Sequence, residues 1–133
     1  MGPQSGTIDE SLRKFTPRER KVAEVLAAEG KAVQAIPESL IPGQRSADAL
    51  VNGAQVEFKS LAPGANNGTV KNAINASIKR GGQARNFVID ARGSGLTHRE
   101  AERALNRIQG IARGKIARIR ILGDNYVLSR TYS

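Results

Sequence analysis

The 133-residue chain has no cysteine and no tryptophan, and only one histidine. Without cysteine there are no disulfides, no thiolate metal sites and no cysteine nucleophile. One histidine cannot build a zinc site, so any bound metal must be held mainly by oxygen ligands. That favours a hard cation such as Mg²⁺ or Mn²⁺. The aromatic residues are few (Phe15, Phe58, Phe87, Tyr126 and Tyr132), too few for a base-stacking platform, which leaves phosphate contact as the better route to a nucleic acid. No run approaches the roughly 20 apolar residues of a membrane helix, and no signal-peptide pattern is present.

What the chain does have is positive charge, unevenly spread. Residues 1–65 carry eight Lys/Arg against eight Asp/Glu, whereas residues 66–133 carry thirteen against four, the source of the whole net charge of +9. Such asymmetry points to a polyanion footprint on one part of the fold, or to a merely solvated basic surface. The length suits one domain with a modest core. Residues 1–14 lack periodicity and read as a flexible leader or domain junction, leaving 15–133 as the folded domain.

Thr16-Pro17-Arg18-Glu19 is a helix start with N-cap Thr, Pro at the first position and a capping-box Glu. Val22, Val25 and Leu26 give that helix an apolar face, and Gly30 ends it. Residues 32–36 read as a strand, and 38–45, with Pro42-Gly43, as loop. Residues 47–51 and 54–61 flank Asn52-Gly53, a strong hairpin signal. A helix follows over 69–80, stopped by Gly81-Gly82, and then a strand over 86–90. Thr97 and Glu100 open another helix that buries Ala101, Ala104, Leu105 and Ile108. Strands are expected over 115–122 and 126–130. This order predicts an α/β fold: a mixed β-sheet covered by helices on both faces, with the hairpin carrying the active site.

A two-residue turn at Asn52-Gly53 makes facing residues sum to 105, so Asp48 faces Glu57. Alternation then sends Asp48, Glu57 and Lys59 to one side of the sheet and Val56 and Phe58 to the other. Two carboxylates so placed repel by roughly 1 to 3 kcal/mol, and a divalent cation reverses that sign. Lys59 sits where an ammonium can orient attacking water and stabilise charge on a phosphorane. A slipped register or a bulge breaks this arrangement.

Asp, a short hairpin and then Glu-x-Lys after an N-terminal helix resembles the PD-(D/E)XK nuclease superfamily. The carrying residues run from Ala47-Asp48-Ala49-Leu50-Val51-Asn52-Gly53 into Val56-Glu57-Phe58-Lys59-Ser60. Ala47 stands where that pattern usually has Pro. Gly82-Gln83-Ala84 followed by Phe87-Val88-Ile89-Asp90 is similar to one branch, the C-terminal tRNase toxin domains of contact-dependent growth inhibition proteins. The resemblance implies a nuclease domain over 15–133 that cleaves tRNA with Mg²⁺ or Mn²⁺. It also implies secreted or cell-surface delivery into the cytoplasm of a target bacterium, and a cognate immunity protein as partner.

The superfamily usually adds a carboxylate from the first helix. Helical spacing turns Glu19 toward the sheet and Glu24 toward water, so Glu19 joins Asp48 and Glu57 as a candidate catalytic and metal-binding residue, with the capping box as its other reading. Gln83 is a candidate phosphate contact, a brace for Lys59, or a helix-end hydrogen bond. Asn72, Asn75 and His98 are weaker candidates. Arg113, Lys115, Arg118, Arg120 and Arg130 are candidates for an RNA backbone track. A DNA nuclease of the same superfamily and a non-catalytic basic nucleic-acid binder stay open as alternatives.

Overall fold

The fold is described from a computed structural model, over residues 6–37, 47–79 and 85–132. Its elements are β1 (Thr7–Asp9), α1 (Pro17–Ala28), β2 (Ala32–Ala35), β3 (Ala49–Val51), β4 (Ala54–Ser60), α2 (Asn67–Lys79), β5 (Asn86–Asp90), α3 (His98–Ile108), β6 (Arg118–Leu122) and β7 (Val127–Thr131). The strands form one mixed sheet in sequence order from β1 to β7. Pairs β1/β2, β4/β5 and β5/β6 are parallel, while β2/β3, β3/β4 and β6/β7 are antiparallel. Strand β4 is therefore the seam between an antiparallel hairpin and a parallel βαβ half, whose long crossovers require helices.

Helices cover both faces, as the element order implies. Val22, Ala23 and Leu26 of α1 pack on Val33, Ala35, Val56, Phe58 and Val88. On the other face, Val70 and Ile74 of α2 and Ala101, Ala104, Leu105 and Ile108 of α3 pack on Phe87, Ile89, Ile119 and Ile121. Burying this apolar surface on both sides is the main favourable term holding the layers together. Strand β4 contributes to both sides: Val56 and Phe58 enter the α1 core, and Glu57 reaches α2.

The capping box at α1 forms as the sequence implies, with Thr16 and Glu19 exchanging side-chain and backbone bonds. At α3 the Thr97 hydroxyl accepts from the Glu100 amide. Helix α2 begins two residues earlier than expected, at Asn67. The cause is local: the Asn66 side chain accepts from the Thr69 amide at 3.1 Å, as a helix-capping Asn does. Strand β6 starts at Arg118 rather than 115, because the Lys115 and Ile116 amides bond back to the Ala112 carbonyl in a turn.

The largest difference concerns the stretch expected as a leader. Residues 7–9 are an edge strand on β2, and the Gly6 amide donates to the Ala27 carbonyl at 2.6 Å. A Cβ at Gly6 would stand 1.9 Å from the Lys31 carbonyl oxygen, so only glycine lets the two backbones approach there. The glycine- and serine-containing composition concealed a pairing that depends on a partner strand far along the chain. No helix among the described residues is long and apolar enough to cross a membrane.

Candidate active site

The hairpin adopts the expected register. Val51 pairs with Ala54 and Ala49 with Val56, across a turn in which Asn52 and Gly53 take φ of 49° and 87°. These left-handed values are those of a type I′ turn, which Asn-Gly favours. The pairs end at Ala49, however, and Asp48 occupies a bend just before β3. Its side chain does not simply oppose Glu57. Asp48 Oδ2 accepts a 2.7 Å hydrogen bond from the Phe58 amide, one residue beyond.

Glu57 is 2% exposed and Ser77, facing it from α2, 1%. A buried carboxylate must find donors or lose its charge. Glu57 Oε2 accepts from the Ser77 hydroxyl at 2.5 Å and from Lys59 Nζ at 2.9 Å. The Lys59 side chain keeps 16% exposure against 3% for that of Glu57, so Lys59 has the outer position of the two. Glu57 and Lys59 thus share the α2 side of β4, as strand alternation requires.

Asp48 is the electrically strained member. Burial raises its carboxyl, the Phe58 amide opposes that, and the hydrogen-bonded Glu19 and the charge of Glu57 add to it; the result is about 6. Glu19 goes the other way. Burial pushes it up, but the Thr16 amide, the Arg13 guanidinium and the bond with Asp48 outweigh burial and hold it low. A proton is thus held more tightly at Asp48 than at Glu19. Glu24, by contrast, is 59% exposed, as its helical position implied.

Two residues that sequence reasoning passed over are central here. Ser77 was masked by its apolar neighbours on α2, although a serine among core positions is itself a signal that a polar group needs a partner. Arg13 lay in the discarded leader. Its guanidinium donates to the Ile36 carbonyl (2.6 Å), the Asp48 carbonyl (2.8 Å), the Lys14 carbonyl (3.2 Å) and Glu19 Oε1 (3.0 Å), and it lies 5.5 Å from the Phe15 ring centre.

Asp48 and Glu57 are the two carboxylates placed to hold a cation together with oxygens from a substrate, the usual manner of Mg²⁺. Among the described residues no three His, Cys, Asp or Glu side chains form a ready metal cage. Glu19 Oε1 is committed to the Thr16 amide and Arg13. Burial first, and then the neighbouring Glu19 and Glu57, raise the Asp48 carboxyl; a divalent cation there would replace the repulsion with attraction.

The remaining candidates do not gather on one surface. Arg118 and Arg120 alternate with the inward Ile119 and Ile121, so they stand on the α1 side. There Arg118 bonds Ser129, Arg120 binds Glu29, and both line a cavity of about 210 Å³ floored by Leu26, Val56 and Val88. Arg130 pairs with Ile119 across the strands and bonds Asn106 of α3 on the other side. Arg113 and Lys115 are exposed in the α3–β6 connection. His98 bonds Glu102 at 2.9 Å and meets the Tyr126 ring edge-on, at the start of α3. Asn72 is exposed and Asn75 half-buried on α2. Gln83 and the Gly81-Gly82 stop lie outside the described residues, as does the Pro42-Gly43 loop.

A sheet whose seam strand carries a buried acid and a lysine, next to an aspartate whose carboxyl is pushed up to about 6, defines an α/β domain organised around an acid–lysine site. Comparison with known proteins narrows the class. The family model described as the contact-dependent growth inhibition CdiA C-terminal domain matches residues 45–126, and the chain belongs to that family. It is a toxin domain of the kind passed between bacteria on contact. Among solved structures, the fold is similar to that in a CdiA-CT/CdiI toxin and immunity complex from Burkholderia pseudomallei, with a TM-score of 0.69 and 19% identity over 93% of this chain and 98% of that one. At that identity the likeness is one of fold. No curated protein matches the chain in sequence.

Proposed function

We propose that this domain is a metal-dependent ribonuclease of the PD-(D/E)XK type that cleaves tRNA phosphodiester bonds in the cytoplasm of a target bacterium. The observation that carries the reading is the junction of β3 and β4. There a buried Glu57 bound to Lys59 stands near an Asp48 whose carboxyl is pushed up to about 6. A carboxylate whose ionisation is displaced by burial and by neighbouring acids marks a functional site more often than a structural one.

Asp48 and Glu57 would hold Mg²⁺ or Mn²⁺, with Glu19 at the rim. When bound, the ion supplies Lewis acidity to the scissile phosphate and to water. The chain's own residues do the rest. The Ser77 hydroxyl and the Lys59 ammonium fix the Glu57 carboxylate. Lys59, outermost of the set, donates to a phosphate oxygen and stabilises the charge that develops as water adds to phosphorus and the P–O bond breaks. Asp48 would hold the ion as an ionised carboxylate, the form that metal sites require.

RNA, and tRNA in particular, rests on the resemblance of the hairpin and fourth-strand region to the tRNase branch. The basic second half supports a polyanionic substrate. A cognate immunity protein follows from the same kinship, is supported by a fold neighbour solved as a toxin and immunity complex, and would present an acidic surface to a chain of net charge +9. The test is to incubate the protein with total RNA and with plasmid, in Mg²⁺ or in EDTA. Loss of tRNA alone, abolished by EDTA, is expected. Plasmid nicking instead makes the domain a DNA nuclease, and binding without cleavage in either arm ends the nuclease reading.

A further inference from the structure

Arg13 belongs to the segment before α1, far in sequence from the hairpin, yet its guanidinium joins the end of β2, the start of α1 and Asp48 itself. Nη2 donates to the Asp48 carbonyl, Nε to the carbonyl of Ile36 at the end of β2, and Nη1 to Glu19 Oε1 at the start of α1. The Asp48 carboxylate is tied separately, by the Phe58 amide. Backbone and side chain of Asp48 thus have independent anchors, and Arg13 supplies one of them. A planar guanidinium does this better than an ammonium, because its donors leave in fixed directions.

Arg13 also settles how two carboxylates can meet. Both it and the Thr16 amide bind the same oxygen of Glu19, Oε1, so Arg13 anchors Glu19 without covering the whole carboxylate. Removing Arg13 would release the bend before β3 and cut the tie between that bend and the start of α1. Both changes would loosen the frame around Asp48.

We infer that Arg13 is a positioning residue of the acid–lysine site, holding the Asp48 bend and the adjoining Glu19 in place so that Asp48 can meet a divalent cation beside Glu57; this rests on the nuclease reading above. It lies before the family-matched residues 45–126, so the segment preceding α1 is part of the working site.

The experiment compares wild type, Arg13→Ala and Arg13→Lys for Mn²⁺ binding by calorimetry and for tRNA cleavage, at a temperature where circular dichroism shows each protein folded. Arg13→Ala is expected to bind Mn²⁺ about tenfold more weakly and to cleave about 10- to 100-fold more slowly. Arg13→Lys keeps the charge beside Glu19 but not the fork, and should fall between. Two results overturn the inference while leaving the nuclease reading intact: Mn²⁺ affinity equal to wild type in both variants, or loss of fold in both, which makes Arg13 a folding clamp. A wild type that neither binds Mn²⁺ nor cleaves overturns both readings.

Discussion

Two aspartates at strand ends meet opposite fates. Asp90, at the end of β5, is gripped by the fork of Arg92, with Nε to Oδ1 at 2.8 Å and Nη2 to Oδ2 at 3.0 Å. Burial pushes its carboxyl up, but Arg92 outweighs burial and holds it below the ordinary range. Asp48, at the start of β3, has one amide donor and two acidic neighbours, and is driven up to about 6. Both are partly removed from water. The difference is whether the fold supplies a cation: Asp90 has Arg92, whereas the neighbours that act on Asp48 are acids.

The sharpest way to break this contrast is activity. Asp48→Ala, Glu57→Ala and Lys59→Ala should each lower tRNA cleavage by about 10²–10³-fold or more, while Asp90→Ala leaves it within about threefold because it changes no group at the site. Full activity in any of the first three, measured on purified tRNA, removes that residue from the site.

Stability should then reverse the ranking. Asp90→Ala strands the Arg92 guanidinium and should cost about 1–3 kcal/mol, discounted for Arg92's partial exposure. Asp48→Asn should do the opposite in EDTA. The Asp48 carboxyl is raised, so the folded form holds its proton up to about pH 6 while the unfolded chain ionises near 3.8. Stability from this group therefore falls between those values and stays low above them. Asparagine still accepts from the Phe58 amide, so the substitution should stabilise the metal-free protein by roughly 1–3 kcal/mol at pH 8 and by little at pH 3.5. Urea denaturation at the two pH values reads this directly, and no gain at pH 8 means that Asp48 is not strained.

Glu29 supplies the smallest effect. Arg120 holds its carboxyl at about 2 from an ordinary 4.5, so its contribution is present above pH 4.5 and is lost as pH falls toward 2. The pair is substantially exposed. Glu29→Gln should lower stability at pH 7 by under about 1 kcal/mol, with a difference that shrinks in acid. A larger loss would mean that the Arg120–Glu29 tie between β6 and the end of α1 carries more of the fold than Asp90 and Arg92 do.

Much of this site was legible because its parts are local. Asn52-Gly53 fixes a two-residue turn, the turn fixes the register, and the register with the period of a strand sends Glu57 and Lys59 to the same side. The bend at Asp48 was not legible, since it depends on the Phe58 amide and on Arg13 rather than on the hairpin. Arg13 itself escaped because its partners Ile36 and Asp48 are 23 and 35 residues away. The row of arginines looked continuous in sequence, yet strand alternation places Arg118 and Arg120 on one face of the sheet, and pairing with Ile119 sends Arg130 to the other.

By itself the sequence determined the order of helices and strands from α1 onward, the hairpin register and the identity of the acid–lysine pair, because caps, tight turns and side-chain period are set by neighbours a few residues apart. The tertiary structure alone decided which buried carboxylate received a cation and which received other acids. It also tied a segment that looked like a leader to β2 and to the bend at Asp48. Such outcomes depend on groups brought together from distant positions, where desolvation and charge act through space and leave no local pattern.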